Sequence, residues 1–250
     1  MRLEIDLSNR TAFVTGATRG IGLAIAEQLA EAGASVIATG TGPEEGAGLA
    51  GLRSRGLEVS YWRLDLEKES SLQACREYLA QLDRLDVLVN NAGVNEILEI
   101  HDITAQDYDR LHRIDLRGPM LLSASAIPLM RRSGWGRIVS IASIWSTITK
   151  PGRGMYTASK FGLVGMTKTL AVENAAHGIL ANAVSPGFTL TELTRSTLTQ
   201  REIDQLGAQV PMARFAEPVE IARVVAFLCS PLNTYLTAQN VTVDGGFTTV

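Results

Sequence analysis

The sequence contains little cysteine and histidine, and the two residue types form no cluster. The 250 residues include two cysteines and three histidines, and their spacing matches no zinc-binding pattern. Cys75 and Cys229 both lie in apolar stretches with helical patterning, which is typical of buried free thiols in a reducing compartment. We therefore expect no bound metal, no disulfide and a cytoplasmic location.

Long apolar runs and an excess of positive charge are also missing. The sequence has no run of about 18 apolar residues, the length that a transmembrane helix needs. Residues 1–6 lack the apolar core of a secretory signal peptide. The net charge of −3 provides no general basic surface for a nucleic acid. The sequence therefore predicts neither a membrane nor a nucleic-acid partner.

Strand and helix patterns alternate along the chain. Short apolar runs predict seven strands, at residues 11–15, 35–39, 59–64, 87–90, 137–141, 180–184 and 240–243. Helical patterns follow Gly22 up to Ala32 and recur at about residues 44–55, 70–82, 104–132, 155–176 and 217–228, with breaks expected at Gly118-Pro119 and Pro128. This alternation predicts one α/β domain over residues 1–250, with a parallel sheet and helices on both faces.

Residues 187–212, after the sixth predicted strand, are polar, rich in threonine and only patchily amphipathic. Ligands of open parallel sheets bind beyond the carboxyl ends of the strands. We interpret this segment as a substrate-binding lid. The alternative is a helical excursion on the surface with no functional role.

A glycine-rich turn, Gly16-x-x-x-Gly20-x-Gly22, lies between the first strand and its helix. Glycines at such a turn let backbone amides approach a pyrophosphate at the positive end of a helix. The spacing differs from the common G-x-G-x-x-G pattern, but the strand–turn–helix context is the one that dinucleotide binding requires.

The end of the second strand indicates which dinucleotide is bound. An acidic residue there would bond the ribose 2′-hydroxyl of NAD, but the sequence has no acid before Glu44. Arg19 could reach a 2′-phosphate with a charge-assisted bond, and Thr41 could add a hydroxyl. We therefore predict NADP(H). The alternative is NAD(H) bound without an acidic partner, with Arg19 as a solvated side chain.

Two further segments fit the same cofactor. Asp65, just past the third strand, is positioned to meet the edge of an adenine ring, although a turn-forming acid would look the same. The fourth strand ends in Asn90-Asn91-Ala92-Gly93, where small residues let the backbone pass close to a cofactor. An ordinary Asn-Gly turn is the alternative.

Tyr156 and Lys160 are four residues apart in a predicted helix, so they share one face. A fixed cation favours the ionised form of a neighbouring phenol. Such a pair suits general acid–base chemistry at a carbonyl or an alcohol. Chance spacing on an amphipathic helix is the alternative.

These motifs, in this order, resemble the short-chain dehydrogenases/reductases over essentially the whole chain. The closest subgroup is the 3-oxoacyl-(acyl-carrier-protein) reductase-like one. The resemblance implies a single-domain, Rossmann-type, doubly wound parallel sheet of about seven strands, a homotetramer or dimer, and hydride transfer between nicotinamide and a ketone or secondary alcohol. The matching segments are Thr15–Gly22, Ala38–Thr41, Asn90–Gly93, Ser143, Tyr156-x-x-x-Lys160, Ser185–Gly187, Gln209–Pro211 and Asp244–Gly246.

The resemblance also implies roles for individual residues. Tyr156 exchanges the proton, Lys160 supports it and holds the nicotinamide ribose, and Ser143 polarises the substrate carbonyl. The substrate contacts are Ser143, Trp145 and Tyr156. The expected cofactor contacts are Gly16, Thr18, Arg19, Gly20, Ile21, Gly22, Thr41, Asp65, Leu66, Asn91, Ala92, Gly93, Tyr156, Lys160, Pro186, Gly187 and Thr189.

One departure from the family pattern concerns catalysis. The fourth catalytic residue of the family is an asparagine that holds a water for proton relay to the lysine, and Asp115 occupies its place here. A carboxylate can accept the same water hydrogen bond, and its charge favours protonated Lys160. Our hypothesis is a relay with altered pH dependence. The alternative is a homologue that binds nucleotide without catalysis.

The second departure concerns the substrate. Carrier-protein reductases present basic residues beside the site, but Gly134-Trp135 and His177 stand at those positions here. Arg131 and Arg132 remain, although they could simply cap a helix. An acyl carrier protein is therefore a doubtful partner. A sugar, polyol or other small polar carbonyl competes evenly with a thioester, and the polar or aromatic residues Asn95, Glu96, Trp145, Arg153 and Thr191 slightly favour it.

Overall fold

The computed structural model describes residues 4–250. Met1–Leu3, part of the N-terminal segment that lacks the apolar core of a signal peptide, lie outside the described residues.

The described residues form one parallel sheet of seven strands, which confirms the predicted α/β class and strand number. The strand order is β3-β2-β1-β4-β5-β6-β7. The order reverses between β1 and β4, so the crevice beyond their carboxyl ends is the expected ligand site of a doubly wound sheet. The strands are β1 (Thr11–Val14), β2 (Ser35–Gly40), β3 (Val59–Arg63), β4 (Val87–Asn90), β5 (Gly136–Ile141), β6 (Ile179–Pro186) and β7 (Asn240–Val243).

Helices cover both faces of the sheet. Successive residues of a strand point to opposite faces, so Phe13 packs into one buried core and Val14 into the other. This explains why the strands are near-continuous apolar runs. The helices are α1 (Gly20–Glu31), α2 (Gly46–Ser54), α3 (Glu69–Gln81), α4 (Ala105–His112), α5 (Gly118–Ser133), α6 (Gly154–Asn174), α7 (Glu192–Thr197), α8 (Gln200–Gly207) and α9 (Pro218–Cys229).

The predicted helix over residues 104–132 is interrupted differently from our expectation. The chain is not broken at Gly118-Pro119, where α5 begins, and the irregular part is the π-helical segment Arg113–Arg117 just before it. Such segments occur mostly inside longer helices and often at functional sites. The expected break at Pro128 is wrong, because α5 continues through it to Ser133. Pro128 has no N–H to donate to the Ala124 carbonyl. Both residues face solvent, so water can donate a hydrogen bond to that carbonyl instead.

Two other expectations can be compared with the structure. Cys75 and Cys229 are both buried and free, as predicted. Within residues 4–250, no helix combines the length and the hydropathy that crossing a membrane requires.

Candidate active site and nucleotide cleft

The turn after β1 is shaped by its glycines. Gly16 and Gly20 have φ values of +63° and +57°, a region that side chains rarely adopt. A Cβ atom on Gly22 would lie 2.2 Å from the Gly16 carbonyl oxygen. Within the described part of the chain, the Arg19 side chain does not cap α1. The first amides of α1 are therefore free to bind an anion.

Thr15 and Asn91 join this turn to the end of β4. The Thr15 hydroxyl oxygen accepts hydrogen bonds from the Asn91 and Ala92 amides, both at 2.9 Å. The Asn91 side-chain amide donates to the carbonyls of Thr15, at 2.9 Å, and Gly16, at 3.0 Å. Sequence reasoning did not assign Thr15 to the site, although its position immediately before Gly16 is the signal for it. Asn91 therefore stabilises the glycine turn and also lines the cleft.

A cleft of about 590 Å³ opens at this switch point. Its volume lies within the range of about 300–1,000 Å³ that is usual for ligand sites. Five of the expected cofactor residues lie outside this lining: Tyr156 and Lys160 on α6, and Pro186, Gly187 and Thr189 at and just past the end of β6. The cleft lining includes the expected residues Gly16, Thr18, Arg19, Gly20, Ile21, Gly22, Thr41, Asp65, Leu66, Asn91, Ala92 and Gly93.

Arg19 is exposed at the cleft and forms neither an ion pair nor a side-chain hydrogen bond with any of residues 4–250. The end of β2 is held without an acid, because the Tyr61 hydroxyl donates to the carbonyls of Gly40 at 3.0 Å and Gly42 at 2.7 Å. Asp65 lines the cleft and also forms a turn, since its carboxylate accepts from the Glu67 amide at 3.1 Å. Both interpretations of Asp65 therefore fit its position.

Sequence reasoning missed an ion-pair network at the cleft, formed by Arg110, Glu67 and Glu96. Arg110 and Glu67 both line the cleft, and the Arg110 Nε lies 3.1 Å from the Glu67 carboxylate. Arg110 also pairs with Glu96. No local pattern signals this network, because Arg110 and Glu67 are 43 residues apart.

The acid–base candidates meet beyond the end of β5. Lys160 Nζ lies 5.4 Å from the centroid of the Tyr156 ring, one helical turn away on α6. It donates a hydrogen bond to the Ile141 carbonyl at 3.2 Å. Ser143 follows β5 and is buried, and its oxygen accepts from the Trp145 amide at 3.3 Å. The hydrogen of the Ser143 hydroxyl remains available for donation.

Asp115 is fully buried beside Lys160. One carboxylate oxygen accepts from the Val94 amide at 2.8 Å, and the other lies 3.2 Å from Lys160 Nζ as an ion pair. Burial lowers the pKa of Lys160, but the charges of Asp115 and Tyr156 outweigh that effect and raise it above its ordinary value. Lys160 therefore remains a cation at neutral pH.

Trp145 is mostly covered, with 8 % of its surface exposed. The Lys150 ammonium lies 5.3 Å from the centroid of the indole ring, and the Arg153 guanidinium lies 5.5 Å from it. The indole is therefore a support for these two cations, and little of its own surface remains for a substrate.

Of the two candidate carrier-protein contacts, Arg131 is engaged elsewhere, whereas Arg132 is exposed. Arg131 donates two hydrogen bonds, of 3.0 and 2.7 Å, to the Asn174 side-chain oxygen. These bonds tie the end of α5 to the end of α6. The capping interpretation of Arg131 fits its position better than a docking role.

Residues 16–248 match a family model described as enoyl-(acyl carrier protein) reductase. The chain is 38 % identical to the 3-oxoacyl-(acyl-carrier-protein) reductase FabG of Aquifex aeolicus, over 98 % of this chain and 99 % of that relative.

Two solved structures have the same fold. A putative gluconate dehydrogenase from Agrobacterium tumefaciens is 32 % identical, with a TM-score of 0.93 and full coverage of both chains (100 % of each). A putative NAD(P)-dependent gluconate 5-dehydrogenase from Beutenbergia cavernae, with bound NADP, is 34 % identical, with a TM-score of 0.93 over 98 % of this chain and 99 % of that one.

Proposed function

This chain belongs to the short-chain dehydrogenase/reductase family, and from that premise we propose that it is an NADP(H)-dependent oxidoreductase acting on a ketone or secondary alcohol. The observation that carries the proposal is the buried Lys160, which forms an ion pair with Asp115 and lies 5.4 Å from the centroid of the Tyr156 ring. A protein that only bound nucleotide would have no need for this set of acid–base groups.

The cleft fits NADP(H). Arg19 is uncommitted, Thr41 is exposed, and β2 ends without an acid, so a 2′-phosphate would meet one cation and one hydroxyl. The free amides at the start of α1 suit the pyrophosphate. The nicotinamide cofactor of one solved relative, NADP, supports this choice. We assign the adenine to Asp65 and Leu66, the ribose to Asn91, Ala92, Gly93, Tyr156 and Lys160, and the nicotinamide to Pro186, Gly187 and Thr189.

The bound cofactor supplies or accepts the hydride, and the chain handles the proton. In reduction, the carbonyl oxygen receives a hydrogen bond from the Ser143 hydroxyl and then the proton of the Tyr156 hydroxyl. Lys160 remains charged and stabilises the phenolate that is left. In oxidation, the phenolate takes the proton back from the alcohol. Asp115 keeps Lys160 charged and in place.

A small polar carbonyl or alcohol is the substrate class that the site supports best. Arg131 is engaged with Asn174, so the docking surface for an acidic carrier protein is weak. The similarity to two putative gluconate dehydrogenases points the same way. A 3-oxoacyl thioester is the second candidate, because the Aquifex aeolicus relative is named for that reaction.

Residues 187–212 are proposed as the substrate lid. Thr191 and Leu193 of this segment line the cleft, and Leu193 leaves 62 % of its surface exposed. An apolar side chain at the mouth of a cleft would gain burial if the segment closed over a bound molecule.

We also propose a homotetramer or dimer. Tyr108, Met120, Phe161 and Val172 are exposed apolar residues on α4, α5 and α6. Exposed apolar surface on neighbouring helices is typical of a subunit interface. Light scattering after gel filtration gives the mass directly, and a monomer at micromolar concentration would contradict this assignment.

The decisive experiment follows NADPH and NADH oxidation with a panel of carbonyls: an acetoacetyl thioester, a small diketone, a ketose and an oxo derivative of a sugar acid. We expect Tyr156→Phe to reduce turnover about 10²- to 10⁴-fold, since one proton-transfer group is lost. NADPH binding should remain, because that variant keeps the ring. Tyr235→Phe is the matched control, since Tyr235 is 97 % exposed.

The outcomes distinguish an enzyme that uses Tyr156 from a homologue that only binds nucleotide. Turnover that survives in Tyr156→Phe would contradict the proposed chemistry. NADPH binding without turnover of any carbonyl would favour the homologue that only binds nucleotide.

A further inference from the structure

Lys150 and Arg153, in the turn that leads into α6, have no carboxylate partner among residues 4–250. Arg153 precedes α6 and lies three residues before Tyr156, and its amide donates to the Lys150 carbonyl at 3.2 Å. Among residues 4–250, no carboxylate oxygen lies within 4.0 Å of a charged nitrogen of either residue. This pair of cations therefore has no counter-ion within the described part of the chain.

Two nearby acids already have other partners. Glu96 pairs with Arg110, and the Glu99 carboxylate lies 3.6 Å from the His101 ring. The segment that packs against Arg153 thus supplies only a neutral group, the Asn95 side-chain oxygen, which accepts from one guanidinium nitrogen.

Arg153 is half-buried and only partly satisfied. Its Nε is buried and has no hydrogen-bond partner among residues 4–250. Its guanidinium and the Lys150 ammonium both lie over the Trp145 ring, at 5.5 and 5.3 Å from the centroid. Cation–π contacts of this kind orient the cations and leave their N–H groups free for a ligand.

The electrostatics of these groups are unfavourable in the absence of an anion. Burial lowers the pKa of Arg153, and the charge of Tyr156 opposes that effect only in part. Partial burial and then the charge of Arg153 lower the pKa of Lys150, which lies nearer to solvent. Two repelling and partly desolvated cations are stabilised by a bound anion.

The loop that carries the cations is fixed in place. Gly152 has a φ of +77°, and a Cβ atom there would lie 2.7 Å from Ile97 Cγ2. The Gly152 carbonyl accepts from the Leu98 amide at 3.1 Å. The two segments are therefore closely packed, and Arg153 is positioned before any ligand arrives.

We propose that Arg153 and Lys150, supported by Trp145, form a carboxylate-binding subsite, so that the substrate is a small hydroxy or oxo acid. The planar fork of arginine suits a carboxylate, which it can bind through two parallel hydrogen bonds. Arg153 precedes Tyr156 by three residues, and the Trp145 ring beneath it follows Ser143 by two. We therefore assign the carboxylate to the reacting molecule itself. The acyl chain of a 3-oxoacyl thioester is uncharged, so it would offer these two cations no carboxylate. This inference rests on the proposed function.

The test compares two probes that differ at one carbon. Gluconate and glucitol share a hydroxylated six-carbon chain, and only gluconate has a carboxylate. Calorimetry measures the binding of each to the protein saturated with NADP⁺. We expect gluconate to bind more tightly, and Arg153→Met to weaken it about 10- to 100-fold, as the loss of a charge-assisted hydrogen-bonded pair implies. Glucitol binding should change less than about twofold.

Further variants separate charge from shape. Arg153→Lys keeps the charge and loses the fork, so it should fall between the wild type and Arg153→Met. Lys150→Met should have a smaller effect than Arg153→Met because Lys150 is more exposed. Lys168→Met is the matched control, since this lysine is exposed on α6 and has no ion-pair partner within residues 4–250. Thermal melts of all variants report whether the fold is intact.

The outcomes separate this inference from the proposed function. The carboxylate subsite is overturned if the wild type binds gluconate no better than glucitol. It is also overturned if Arg153→Met loses affinity equally for gluconate and glucitol. Reduction of a neutral diketone by NADPH reports on the proposed function alone. Gluconate bound through Arg153, with no carbonyl reduced, would leave the subsite in place and remove the proposed function.

Discussion

The Asp115 carboxylate lies 3.2 Å from the Lys160 ammonium, and the two side chains expose 0 % and 4 % of their surfaces. Asp115 reaches this position from the π-helical segment between α4 and α5, and Lys160 from α6. A neutral asparagine at that place would offer only a dipole. The carboxylate instead forms a buried ion pair, which opposes the effect of burial on the lysine.

Asp115→Asn should change the pH dependence of the reaction. The pKa of Lys160 is raised by Asp115 against the effect of burial, so loss of that charge lets the pKa fall. Lys160 would then lose its proton at a lower pH, and the alkaline limb of kcat/KM for carbonyl reduction should move to lower pH. The measurement is kcat/KM from about pH 6 to 10.

Asp83→Asn is the control for this experiment, because Asp83 is exposed and lies in the loop between α3 and β4. Superimposable pH profiles for wild type and Asp115→Asn would contradict the role of the carboxylate. An equal shift of the pH profile in Asp115→Asn and Asp83→Asn would indicate that the net charge of the protein, and not the ion pair with Lys160, moves the profile.

Arg19→Ala should alter the choice of cofactor. Its side chain caps nothing and is bonded to none of residues 4–250, so its loss should leave the fold unchanged. We expect kcat/KM with NADPH to fall about 10- to 100-fold, and kcat/KM with NADH to stay nearly constant, because only the 2′-phosphate loses a partner. Arg223→Ala, an exposed arginine on α9, is the control. An equal loss for both cofactors would argue against recognition of the 2′-phosphate.

Two glycines should respond oppositely to alanine. A Cβ atom at Gly22 would meet the Gly16 carbonyl oxygen at 2.2 Å, so Gly22→Ala should lower the free energy of unfolding by about 1–3 kcal/mol and weaken NADPH binding. Gly51 in α2 has none of the described residues within 4 Å of such an atom. Gly51→Ala should therefore stabilise the protein by about 0.5–1 kcal/mol. Urea unfolding measures both, and a stabilising Gly22→Ala would show that the turn tolerates expansion.

The two cysteines should be unreactive in the folded protein. Burial raises the pKa of Cys75 and of Cys229 to about 12, so almost no thiolate exists near neutral pH. A disulfide reagent should label neither thiol at about pH 8 and both after unfolding in guanidinium. Rapid labelling of the native protein would mean that these helices open readily.

Much of the site could be predicted from sequence because its signals are local. Tyr156 and Lys160 share one helix, so their spacing alone places them on one face. The glycine turn is likewise a single segment between β1 and α1. The helix break at Pro128 was predicted wrongly, because proline's effect depends on whether the freed carbonyl meets water, which local sequence does not reveal.

The sequence by itself determined the order of the strands and helices along the chain, since apolar periodicity and glycine turns act between near neighbours. The tertiary structure decided which side chains from separate segments of the chain meet. Asp115 accepts a hydrogen bond from the Val94 amide 21 residues away, and Lys150 and Arg153 lie over Trp145 with no ion-pair partner among residues 4–250. Such pairings depend on how the helices and loops pack beyond the sheet, so the charge of the candidate active site became visible only in the folded chain.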